Sequence, residues 1–125
     1  MPILPLSTAA SCPVDFSVLH GMTGGDAALE AELLEIFIES SIECLTGLRL
    51  SLDGGKNVAW REQAHAFKGI ALNLGANGLG GLCRVAQEGY LAPPEDKRLM
   101  LRAIEAEMRR VDEAITLLRT DISAA

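Results

Sequence analysis

A histidine, a lysine and a glycine fall within about one helical turn of each other at His65, Lys68 and Gly69, and no other grouping in the chain is as suited to chemistry. A neutral imidazole nitrogen is nucleophilic near pH 7, so it can accept a transferable group and later release it. A phosphoryl group fits such a cycle, because its bond to imidazole nitrogen is labile enough to be passed on. Lys68 can set an ammonium beside the ring, which would favour a dianionic group attached there. Gly69 costs a helix about 1 kcal/mol relative to alanine at an exposed interior position. That cost makes sense if another molecule must approach the backbone beside the histidine.

The helix that must present these residues is NVAWREQAHAFKGIALNL. At roughly 100° per residue, Trp60, Phe67 and Leu74 stack on one face, flanked by Ala64, Ile70 and Ala71. His65 lies almost opposite, among Val58, Arg61, Glu62, Lys68, Gly69 and Leu72, with Asn73 and Ala76 near the edge. A core histidine is thereby disfavoured, while an ordinary solvated one remains open. Glu62 is a single acid, so no carboxylate cluster for a metal stands near His65. No GxxxxGK[ST] loop is present, and Gly75, Gly78, Gly80 and Gly81 match no nucleotide fingerprint. A hydrolytic or acid–base enzyme built on His65 and Glu62 would lack a nucleophile and an oxyanion hole. His20, next to Gly21, has no lysine or glycine pattern one turn on and is expected to be a capping or solvated side chain.

Punctuation residues divide the chain into helices. Asp15 is expected to cap a short first helix to about Met22, and Asp26 a second from about Ala27 to Leu52. The second carries Leu29, Leu33, Phe37, Cys44 and Leu48 at three- and four-residue steps, widened by Leu34, Ile38, Ile42 and Leu45. Asp53-Gly54-Gly55 should end it. Asn57 is expected to cap a third helix over Val58 to Leu74, closed by Gly75. Asn77 should cap a fourth, from about Gly78 to Leu91, with Leu79, Leu82, Cys83, Ala86 and Tyr90 inward. Pro94 suits the first turn of a last helix bearing Leu101, Ile104, Met108, Val111, Ile115, Leu118 and Ile122. That stripe could pair between molecules, but packing on its own bundle is the simpler reading. Glu105–Arg109 has acid-then-base spacing for an outward pair. The expected fold is all-α, an antiparallel four-helix bundle with a short additional N-terminal helix.

The 125 residues suit one domain, read as 14–122 behind a flexible N-terminal arm, 1–13. The chain is 49% hydrophobic and 22% charged, far from a disordered composition. A net charge of −6 argues against nucleic acid as a partner. No apolar run approaches the roughly 20 residues that span a bilayer, and the N-terminus lacks the pattern of a secretory signal. Cys12, Cys44 and Cys83 form no CxxC pair, and an odd count without a framework points to a reducing compartment, hence the cytoplasm. Cys44 and Cys83 fall on apolar faces as core residues.

The run His65-Ala66-Phe67-Lys68-Gly69, followed by Gly75, resembles the HxxKGxxxxxG signature of histidine-containing phosphotransfer (HPt) domains. Asp15-Phe16, Gly25-Asp26, Leu34-Glu35-Ile36-Phe37 and then Leu79, Leu82, Cys83 and Glu88 are similar to the family's pattern, so the likeness runs from about 14 to 120. Ile70 departs from it, since that position is often small. The resemblance implies that His65 is phosphorylated and Lys68 stabilises the phosphoryl charge. Gly69, Leu72, Arg61, Glu62, Val58 and Asn73 would form a docking surface, and Gly75 would make the turn. It implies a phosphoryl carrier and no enzyme in its own right: no ATP site, no cofactor of its own, and Mg2+ held by the partner. The implied partners are response-regulator receiver domains and a hybrid or sensor histidine kinase, with a monomer expected and neither nucleic acid nor membrane engaged. A helical adaptor that docks without phosphorylation is the alternative.

Overall fold

The computed structural model describes residues 12–124, with side chains to residue 120. The expected arm, 1–13, lies outside the described residues except for Cys12 and Pro13. Five helices follow: α1 Phe16–Thr23, α2 Ala27–Asp53, α3 Asn57–Leu74, α4 Asn77–Glu88 and α5 Pro94–Ala124. Among the described residues there is no strand, and no helix is long and apolar enough to cross a membrane.

Caps account for where the helices begin. The Asp15 carboxylate accepts from Ser17 N (3.1 Å), and that of Asp26 from Leu29 N (3.1 Å), as their residue types lead one to expect. Asn57 and Asn77 behave otherwise. Both are the first residues of their helices, and neither preceding residue, Lys56 or Ala76, caps with a side chain. Asn57 is drawn elsewhere: its Oδ1 accepts a bond from Lys97 Nζ at 2.5 Å. At the end of α2 the left-handed turn is made by Gly55 (φ 64°), while Gly54 keeps helical geometry. α4 stops at Glu88, three residues short of the expected end, because Gly89 closes the helix and Ala92 N donates back to Gly89 O (2.9 Å). Tyr90 therefore lies outside the helix, in the connection, but it still packs half-buried against the core.

α2, α3, α4 and α5 form the bundle. α3 packs on α2 and α4, α5 closes the other side against the same two, and α1 lies across α2 and α3. Short connections make successive helices antiparallel. The core is continuous: Leu34, Phe37, Cys44 and Leu48 from α2; Trp60, Ala64, Phe67, Ala71 and Leu74 from α3; Leu79, Cys83 and Ala86 from α4; Leu101, Ile104, Met108, Val111 and Ile115 from α5. The α5 stripe thus packs into its own bundle, Leu118 joins it partly buried, and the Ile122 side chain lies outside those described. Leu29 and Ile42, expected in the α2 stripe, are exposed, Ile42 lining a shallow groove between α2 and α5. Glu105 does not pair with Arg109; it accepts from Arg49 of α2 at 2.7 Å, tying α5 to α2.

His20 is exposed, as expected, but it also has a partner that the sequence did not show. Its Nδ1 lies 2.5 Å from Glu30 Oε2, which also accepts from Thr23 Oγ1 (2.8 Å), so this buried carboxylate fastens α1 to α2. The His20 bond first, then the Thr23 bond, hold the Glu30 carboxyl below its ordinary 4.5. A depressed carboxylate stabilises the fold fully above its unfolded pKa, and that contribution is lost as pH falls through the folded value. Urea midpoints measured from about pH 7 to about pH 3 should therefore fall more steeply below 4.5 in the wild type than in Glu30→Gln. Equal slopes would show that this pair does not couple to folding.

Candidate functional site

α3 owes its two-sidedness to spacing. Its buried residues, Trp60, Ala64, Phe67, Ala71 and Leu74, recur every three or four positions, and this leaves His65 on the outer face. Trp60 anchors the helix, donating from Nε1 to Ala86 O at 2.8 Å while being completely buried. Lys97 seals the same end: its ammonium lies 5.5 Å from the Trp60 ring centroid and bonds Asn57 Oδ1, and burial pushes its pKa down.

His65 is exposed in a shallow depression of about 330 Å³ lined by Arg61, Glu62 and Gln87. Gln87, on α4, brings Oε1 within 3.4 Å of His65 Nδ1. With hydrogen on Nδ1, as donation to Gln87 Oε1 requires, the nucleophilic lone pair is on Nε2. Sequence periodicity could not find Gln87, because only the pairing of α3 with α4 brings it there.

The other expected residues separate into groups. Lys68 is partly buried one turn on, and among the described residues its ammonium makes no ion pair. Arg61 stacks its guanidinium 4.6 Å from the Tyr90 ring centroid at the rim. Glu62 and Val58 are exposed on the same face. Leu72 is exposed too, yet a Cβ built on Gly80 would fall 2.5 Å from Leu72 Cδ2, so this side chain also covers the α3–α4 seam. Asn73 sits apart from His65. It lines a mainly apolar groove of about 490 Å³ with Leu19 and Met22 of α1, Leu33, Ile36 and Phe37 of α2, and Ile70. Ile70, the departure from the signature, is spent on that groove wall.

The two signature glycines have different reasons to be glycine. A Cβ on Gly69 would meet nothing within 4 Å, so nothing inside the fold requires its absence. Gly75 is required from within. It adopts φ 95°, ends α3, and its carbonyl accepts from Asp15 N at 2.9 Å, while a Cβ there would collide with the Asp15 carbonyl oxygen. Among the described residues no group of three or more His, Cys, Asp or Glu could hold a metal ion.

The sequence profile of the Hpt domain matches residues 32–122. The chain belongs to the Hpt domain family. Its membership makes histidine phosphotransfer in a phosphorelay the class of its work, and Hpt proteins are phosphoryl carriers. The Hpt match starts within α2, later than the likeness seen from the sequence motifs, so α1 falls outside it. The fold is similar to a crystal structure of histidine-containing phosphotransfer protein B (HptB) from Pseudomonas aeruginosa PAO1, with a TM-score of 0.73 and 28% identity over 95% of this chain and 99% of that one. A search of curated proteins finds no significant match.

Proposed function

We propose that this Hpt domain accepts a phosphoryl group on His65 Nε2 from the phosphorylated aspartate of a response-regulator receiver domain, and passes it to a second receiver. The supporting observation is the outer face of α3, where an exposed imidazole stands beside an unpaired lysine and a glycine that the fold itself does not need.

The step balances with the imidazole neutral. The Nε2 lone pair attacks phosphorus in line, the new N–P bond forms as the bond from phosphorus to the aspartyl oxygen breaks, and the receiver recovers its carboxylate. No proton need leave, because hydrogen stays on Nδ1 facing Gln87. The product pairs a cationic ring with a dianionic phosphoryl group, and Lys68 offsets the remaining charge. Transfer onward is the same step in reverse. Charge neutralisation on the receiver side belongs to the Mg2+ held with its aspartate, since Glu62 is the one carboxylate lining the depression around His65.

Gly69 lets the receiver backbone come close, with Val58, Leu72, Arg61 and Glu62 around the contact. Asn73 meets the receiver from the groove it lines with Ile70. A sensor or hybrid histidine kinase stands upstream, and the protein works as a monomer in the cytoplasm. The test uses receiver domains from the same cell, each phosphorylated with labelled acetyl phosphate. At least one should hand acid-labile, base-stable label to the protein within seconds to minutes. No label from any of them would contradict the carrier reading and leave the adaptor.

A further inference from the structure

Two contacts fix the register of α3 against α4. His65 meets Gln87, and Leu72, seven residues on, meets the backbone of Gly80, seven residues back. Arg61 beside Tyr90 follows the same opposed stepping. Because the helices run antiparallel, the α4 residue opposite Lys68 is then Arg84, one turn from the His65–Gln87 contact along the same seam.

By this register Lys68 and Arg84 occupy opposed positions on the two helices, in a chain whose net charge is −6. Lys68 has no ion pair among the described residues, and Arg84 has only a loose one, to Glu88 at 3.6 Å. Both members of that pair are more than half exposed, at 57% and 65%, so the tie is weak and the guanidinium is free to turn. Like charges placed opposite each other cost stability unless an anion comes between them.

We propose that Arg84 and Lys68 form a two-cation clamp for the phosphoryl oxygens of phosphorylated His65, with Arg84 leaving Glu88 to engage them. This rests on the reading of His65 as the phosphoryl acceptor. The helical rise between Arg84 and Gln87 is about 4.5 Å, which an arginine side chain spans. Its planar fork matches two phosphoryl oxygens at once, while Lys68 supplies a point charge from the other helix. Together they balance the dianion and hold the phosphorus in line with the incoming carboxylate. The clamp also accounts for a basic strip beside His65 in an acidic protein.

The test compares wild type, Arg84→Gln and Arg84→Lys, each phosphorylated with phosphoramidate, which requires no protein partner. Readouts are the lifetime of the phosphohistidine and the rate of transfer to a receiver at low and high salt. Arg84→Gln should accept label at His65, keep its helical circular dichroism, and transfer about tenfold more slowly with a weaker salt dependence. Arg84→Lys should recover part of the rate, which a purely structural role would not produce. Lifetime and transfer in Arg84→Gln within twofold of wild type would overturn the clamp while leaving the acceptor reading intact. A wild type that takes no label on His65 from either donor would overturn both.

Discussion

His65→Gln is expected to abolish phosphotransfer, by about a thousandfold or more, while leaving the domain as stable as wild type. The loss follows because glutamine offers no nucleophilic nitrogen and no atom that can carry and release the group. Stability should be spared because the side chain is exposed and its one polar contact, Gln87 at 3.4 Å, is long. Surface changes of this kind stay within about 0.5 kcal/mol, so urea unfolding should overlay the wild-type curve. The same variant separates a carrier from an adaptor. If His65→Gln still supports the downstream response at wild-type level, docking alone is the function and the acceptor assignment is wrong.

The two signature glycines should respond in opposite ways, and this is the second large effect. Gly69→Leu is expected to stabilise the helix by about 0.5–1 kcal/mol, since a Cβ there meets open space and glycine is the poorer helix former. It should nevertheless slow transfer from a receiver by tenfold or more, because the added side chain stands where the partner must approach. Gly75→Val should do the reverse. A β-branched residue at φ 95° is strained by about 1–3 kcal/mol, and its Cβ would also push the Asp15 carbonyl away, loosening α1. Transfer per folded molecule should then change far less than stability does. Thermal melts and single-turnover transfer on the two variants check both halves. A Gly69→Leu variant that transfers normally would refute the steric account of that position.

Legibility in the sequence followed the range of the interaction. The α3 core face and the outward placing of His65 came from a local period, and Trp60, Ala64, Phe67, Ala71 and Leu74 are buried as the wheel requires. Asp15 and Asp26 were readable as caps because a carboxylate next to free backbone N–H groups has no nearer partner. Asn57 was misread because Lys97, forty residues away, takes its side chain. Glu105 was misread for the same reason, since Arg49 on a neighbouring helix competes with Arg109 one turn along. His20 is exposed as expected, but its bond to Glu30 depends on how α1 lies against α2 and is not written in the local sequence. At the site, His65, Lys68 and Gly69 lie on one helix and were visible together. Gln87 was not, because its nearness depends on how α4 is registered on α3. Asn73, near the edge of the His65 face on the wheel, lines the groove beside α1, which the wheel of one helix does not show.

The proposed carrier function rests on one bond, between phosphorus and a nitrogen of His65. Phosphorus NMR of the protein after reaction with a phosphorylated receiver, followed by tandem mass spectrometry of the peptide containing residue 65, tests it most directly. A phosphoramidate resonance assigned to Nε2 and a phosphate localised to His65 are predicted, both absent in His65→Gln. A phosphate found on His20 or on any carboxylate, with His65 unmodified, would contradict the assignment.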